Sequence, residues 1–131
     1  MNKEKYYLFL DDIRNPEDVT WVSLPKVEWT IVRTYKEFTA IIKKEGIPNF
    51  VAYDHDLAFE QYDNYHDIDE KGRLVIDYNK FKEKTGYECC KFLVNACMKK
   101  NIKHPDFAVH SMNPVGAKNI ISYVESYNNS F

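Results

Sequence analysis

Residues 29–56, WTIVRTYKEFTAIIKKEGIPNFVAYDHD, join two short apolar runs through one amphipathic stretch. The first run, WTIVR (29–33), is β-branched and aromatic and predicts a strand. Thr34 followed by Glu37 has the spacing of a capping box, in which both side chains satisfy backbone N–H groups at a helix start. Behind it, Tyr35, Phe38, Ile41, Ile42 and Glu45 recur at helical spacing. Lys43 and Lys44 fall in the last turn, where they oppose the helix dipole, and Gly46 supplies the stop. The second run, NFVAY (49–53), predicts another strand, and it leads straight into Asp54, His55 and Asp56.

The alternation continues on both sides. KYYLFL (5–10) predicts a buried strand that ends at Asp11 and Asp12. Asn15 before Pro16 reads as a cap and first residue of a short helical turn. TGYECCKFLVNACMKKN (85–101) predicts a second amphipathic helix with Cys90, Leu93, Val94 and Cys97 inward. DFAVH (106–110) predicts the fourth strand. Asn113-Pro114 opens a last helix whose expected inner face is Ala117, Ile120, Ile121, Val124 and Tyr127. Buried strands alternating with helices imply an α/β fold, an open parallel sheet of about four strands with helices on both faces. With no repeat, low-complexity tract or Pro/Gly linker, residues 1–131 read as a single domain.

Composition narrows the function. The chain has 131 residues, 44% of them hydrophobic and 15% aromatic, enough for a proper core. A net charge of −2 argues against binding double-stranded nucleic acid through bulk charge. The apolar run Tyr6 to Leu10 is too short for a leader core or a membrane span, so a cytoplasmic protein is expected. Cys89, Cys90 and Cys97 crowd into one helix with neither zinc-ligand pairing nor a disulfide framework, and read as small core residues in a reducing compartment.

Residues 58–83, AFEQYDNYHDIDEKGRLVIDYNKFKE, are too long for a bare connection. A calcium loop starting at Asp67 is rejected, because Lys71 and Tyr78 stand where ligands are needed. YHDI and RLVIDY flank a turn at Asp69 to Gly72 and predict a β-hairpin insert after strand 3, placed to act as a flap. Tyr62, Tyr65 and Tyr78 would either stack on a base or pack the flap's own small core.

Ligands of open α/β sheets bind beyond the carboxyl ends of the strands. Asp11, Asp12, Asp54 and Asp56 all follow strands. Clustered carboxylates need a cation or raised pKa values, and hard oxygen donors suit Mg²⁺ or Mn²⁺; singly, each could be a cap or a solvated loop residue. His55 and His110 are candidates for general acid and base, against a structural role for each. Arg14 and Arg33 could fork onto phosphate oxygens or pair with the neighbouring aspartates. HSMNPVGAKN offers the Ser111 hydroxyl, the Asn113 amide and Gly116 at a helix start suited to an anion, or a plain helix cap.

"LDDIRNP", "RTYKEF", "YDHDL", "TGYECCKFL" and "HSMNPVGAKNI", in this order, resemble the cyclic-phosphate processing receiver-like domains of phages and bacteria. The resemblance covers the chain except residues 58–83, a variable insert. It implies a receiver-like (flavodoxin-like) three-layer α/β/α fold. Asp11 and Asp12 match the acidic pair that binds Mg²⁺ in receivers, Asp54 the phosphoryl acceptor, and Ser111 approximately the hydroxyl residue after the fourth strand. A receiver's fifth strand with its lysine is not found, and Lys118 lies within the last helix. His55, Asp56 and His110 are additions that a phosphorelay receiver does not need. The expected function is therefore a metal-dependent phosphoesterase acting on a cyclic phosphate of a nucleotide or RNA-derived end. In it, Asp11, Asp12 and Asp54 hold Mg²⁺ or Mn²⁺. His55, Asp56 and His110 serve catalysis, and Arg14, Arg33, Ser111, Asn113 and Gly116 bind the phosphate. The alternatives are a signalling receiver phosphorylated on Asp54 and a non-catalytic binder that sequesters a cyclic nucleotide.

Overall fold

A computed structural model describes residues 6–55, 66–68, 74–76 and 85–131. The chain runs β1 (Tyr7–Leu10), a 3₁₀ turn (Pro16–Asp18), β2 (Trp29–Val32), α1 (Tyr35–Glu45) and β3 (Phe50–Tyr53). It continues with β4 (His66–Ile68), β5 (Leu74–Ile76), α2 (Gly86–Lys100), β6 (Asp106–Val109) and α3 (Pro114–Asn128). Four strands form one parallel sheet in the order β2-β1-β3-β6. The order reverses direction at β1, which puts the switch point between β1 and β3.

Helix α1 forms where the capping pattern predicts it, with one change of partner. The Thr34 hydroxyl accepts from the Glu37 N–H at 3.0 Å. The Glu37 carboxylate accepts from the N–H of Arg33 at 2.7 Å, one residue earlier than a capping box requires. Gly46 ends the helix at φ +87°, a conformation that a side chain would resist.

Strand alternation divides the core in two. Leu8, Leu10, Val51 and Tyr53 face one way and pack with Phe38 and Ile42 of α1, Leu93 and Val94 of α2, and Ile120 and Val124 of α3. Phe9 and Ala52 face the other way, and there Val19, Val22, Leu24 and Trp29 cover them. Helices were expected on both faces. Among the described residues they pack on one, and the β1–β2 connection covers the other with a single 3₁₀ turn. That connection carries Pro16 and Pro25, which break any helix longer than a turn or two.

Helix α3 buries a narrower face than its sequence predicts. Ile120 and Val124 are buried, Ala117 and Tyr127 half-buried, and Ile121 is exposed. Neighbouring helical residues point about 100° apart, so Ile120 and Ile121 cannot both face a narrow seam. The three cysteines are buried and free, as core residues should be. Burial pushes the thiol of Cys90 up to about 12 and that of Cys97 to about 11.

Strands β4 and β5 pair antiparallel, with His66 opposite Ile76, in a separate two-stranded sheet. The predicted turn between them, Tyr62, Tyr65 and Tyr78, and Asp56 lie outside the described residues.

Candidate functional site

The sheet's hydrogen bonds run one residue past its strands. The amide of Asp11 donates to the Val32 carbonyl at 3.2 Å, that of Asp54 to Leu10 at 3.0 Å and that of His110 to Tyr53 at 2.9 Å. Each residue thus sits at a fixed register on the carboxyl edge. Strand alternation turns all three side chains toward the face lined by Phe9 and Ala52. Asp11, Asp12 and Asp54 there bring one carboxylate oxygen each within 4.8 Å of one another. Asp11 and Asp54 are buried, and Asp12 is half-buried.

Asp11 is the best-held member. Its Oδ1 accepts from the N–H groups of Ile13 at 3.0 Å and Arg14 at 2.8 Å, which folds the loop after β1 around the carboxylate. Its Oδ2 meets His110 Nε2 at 3.0 Å, and Arg14 Nη1 stands 3.8 Å away. Burial pushes the Asp11 pKa up. The hydrogen bond from His110, the two amides and the His110 charge outweigh that push and hold it at about 2. A carboxylate has about four acceptor positions and three are taken by the close hydrogen bonds, so the group is ionised, aimed and still able to ligate.

His110 is fully buried, and its ring stacks on Phe9 at 4.8 Å between centroids with 4° between planes. A carboxylate only accepts, so Nε2 carries the proton in the pair with Asp11. Nδ1 finds no partner among the described residues. The ring reaches Asp11 across β3, where the register places Ala52 between Phe9 and Ala108. Two alanines leave the room that the imidazole fills. His110, expected as a general acid or base, is fully buried with Nε2 directed at Asp11 Oδ2.

His55 lies on the other side of Asp54. A Cβ on Gly116 would stand 2.3 Å from His55 Cγ, so the imidazole rests directly on the backbone of the first turn of α3. A Cβ on Gly86 would stand 1.7 Å from the Asp54 carbonyl oxygen, and the Gly86 amide donates to the His55 carbonyl at 2.7 Å. Two glycines, one opening each helix, therefore clamp the exit of β3. His55 is half-buried, in contrast to His110.

The remaining candidates divide. Arg14 stays near the cluster, with its guanidinium 5.2 Å over the Trp21 ring. Arg33 is engaged in holding the loop: Nη1 donates to the carbonyls of Asp11, at 3.2 Å, and Arg14, and Nη2 donates to Asn15 Oδ1 at 2.6 Å. Ser111 Oγ accepts from the Asn113 amide at 3.1 Å, and Asn113 Oδ1 from the Gly116 amide at 3.0 Å. These three build the cap of α3, and two of the N–H donors expected to meet an anion are used within it. Sequence reasoning missed Gly86, Ala52 and Trp21. Only the first carried a local signal, a glycine at the opening of a predicted helix.

One family model matches, that of the cyclic-phosphate processing receiver domain, over residues 6–126. No curated protein and no solved structure matches the chain. The matched span takes in the whole parallel sheet, the carboxylate cluster and both glycine contacts. With a four-stranded parallel sheet in receiver order and an acidic cluster at its carboxyl edge, the chain belongs to the cyclic-phosphate processing receiver domain family.

Proposed function

We propose that this domain is a divalent-metal-dependent phosphoesterase that opens a cyclic phosphate on a nucleotide or RNA-derived end. The observation that carries the reading is the approach of Asp11, Asp12 and Asp54 to within 4.8 Å. Carboxylates this close repel unless a cation or a proton intervenes, and Asp11 at about 2 resists the proton. All-oxygen donors fit Mg²⁺ or Mn²⁺, which supplies Lewis-acid charge and a more acidic bound water.

The chain's own residues do the rest. Asp11 is aimed by His110 and the loop amides, so it enters the reaction already ionised and oriented. Arg14 offers forked donors to the phosphate oxygens at the edge of the cluster. His55 takes the proton of the attacking water and returns it to the leaving ring oxygen as the P–O bond breaks. The Gly116 contact holds its imidazole against the first turn of α3, at the residue that follows Asp54 in the chain. Arg33 and the Ser111–Asn113 cap fix the two backbone segments that border the site.

Purified protein with Mn²⁺ or Mg²⁺ should open at least one member of a panel of cyclic mono-, di- and oligonucleotides and 2′,3′-cyclic RNA ends. EDTA and Asp54→Asn should each abolish the activity. A panel left intact in the presence of either metal overturns the reading.

A further inference from the structure

The β1–β2 connection brings a tryptophan to the rim of the carboxylate cluster. Trp21 Nε1–H donates to the His110 carbonyl at 2.8 Å, which ties the indole edge to the end of β6. The Arg14 guanidinium lies 5.2 Å from the ring centroid, and Arg14 Nη1 lies 3.8 Å from Asp11 Oδ2. Cluster, guanidinium and indole therefore follow one another in sequence along the rim. Trp21 nevertheless remains 42% exposed. The chain's other tryptophan behaves as the residue usually does: Trp29 is half-buried against the rings of Tyr7, Phe9 and Phe50, at 5.8, 5.9 and 5.8 Å.

An indole held by its N–H, with open ring surface beside a phosphate-binding arginine, has the chemistry of a base-stacking platform. We propose that Trp21 stacks on the nucleobase of the substrate, so that the site selects base-bearing cyclic phosphates over base-free ones. The proposal rests on the phosphoesterase reading above. It adds to it a substrate class and the residue that sets that class. Arg14 joins the two halves of recognition, because it stands between the cluster, where the phosphate binds, and the ring that receives the base.

The test compares adenosine 2′,3′-cyclic monophosphate with glycerol 1,2-cyclic phosphate, which has the same five-membered phosphate ring and no base. Trp21→Ala should raise KM for the adenosine compound on the order of tenfold and leave that for the glycerol compound unchanged. Trp21→Phe, which keeps a ring but loses the N–H bond, should recover part of the difference. Equal effects on both compounds, or equal KM values in the unaltered protein, overturn the proposal and leave the phosphoesterase reading standing. A second measurement needs no turnover. In a Trp29→Phe protein the remaining fluorescence is that of Trp21, and adenosine monophosphate with Mn²⁺ should quench it while glycerol phosphate with Mn²⁺ does not. Quenching without hydrolysis of either compound sinks the phosphoesterase and keeps the platform; hydrolysis without selective quenching does the reverse.

Discussion

Gly86 meets the backbone of Asp54 and His55 and Gly116 the His55 ring, and their substitutions should separate accordingly. An alanine Cβ at Gly86 meets the Asp54 carbonyl oxygen at 1.7 Å, and backbone cannot step aside. Gly86→Ala should cost about 3 kcal/mol in urea unfolding. At Gly116 the obstacle is the His55 ring at 2.3 Å, which can rotate away. Gly116→Ala should lose less stability yet slow hydrolysis on the order of a hundredfold, the scale of losing a positioned acid–base group. Wild-type turnover in this variant would remove His55 from the mechanism. His110 invites a different measurement. His110 Nε2 bonds the Asp11 carboxylate, so on the metal reading His110→Leu should weaken Mn²⁺ binding by roughly 10–100-fold in calorimetric titration. Unchanged affinity would mean that the Ile13 and Arg14 amides suffice to aim the carboxylate. The sequence marks both histidines equally, as strand-end residues. Their separation into an accessible and a fully buried ring follows from what each packs against, Gly116 for one and Phe9 for the other.

Among the elements, β3 decides whether the site can assemble. Its middle residue, Ala52, registers with Phe9 on one side and Ala108 on the other. Ala52→Leu places a branched side chain in the path of the His110 ring. It should destabilise the fold by about 1–3 kcal/mol through overpacking, and it should lower Mn²⁺ affinity in parallel with His110→Leu. If metal affinity survives, the imidazole reaches Asp11 by another route. Helix α1 was legible in detail because its signals are local: a cap, a 3.6-residue apolar stripe, terminal lysines and a glycine stop. Of the β1–β2 connection only the short turn opened by Asn15 and Pro16 was, and it forms at Pro16–Asp18. The residues beyond that turn carry no period, and Val19, Val22 and Leu24 acquire a role only because Phe9 and Ala52 present a face that needs covering.

For the whole molecule, His104, which no motif in the sequence marks, should make stability sensitive to acid. His104 is buried, with Nε2 at 2.8 Å from the Tyr53 hydroxyl and Nδ1 at 2.7 Å from the Pro105 carbonyl. A carbonyl only accepts, so Nδ1 carries the hydrogen, Nε2 accepts from Tyr53, and the ring is neutral. Burial lowers its pKa from 6.5 to about 4, against a smaller upward push from the Pro105 hydrogen bond. Between those values the unfolded chain binds more protons than the folded one. Stability is therefore full above pH 6.5 and falls as pH drops toward 4. The loss approaches about 3 kcal/mol, from 1.36 kcal/mol per unit. Urea unfolding at pH 7.5 and 4.5 should show most of it, and His104→Gln should flatten the difference. An equal drop in the variant would place the acid sensitivity elsewhere.

Local sequence was enough for the class of fold, the span of each strand of the parallel sheet along the chain and the presence of acidic and basic groups at the strand ends. Those properties are set by periodicity, capping and punctuation within about 15 residues of chain, and no partner is needed to express them. Which residues meet was set by packing across the sheet. Asp11 and His110 are 99 residues apart in the chain and bond at 3.0 Å only because β3 lies between their strands and offers an alanine there. Trp21 reaches the rim, and both glycines close on Asp54 and His55, for the same reason: contacts across strands depend on order and register, which no short stretch of sequence encodes.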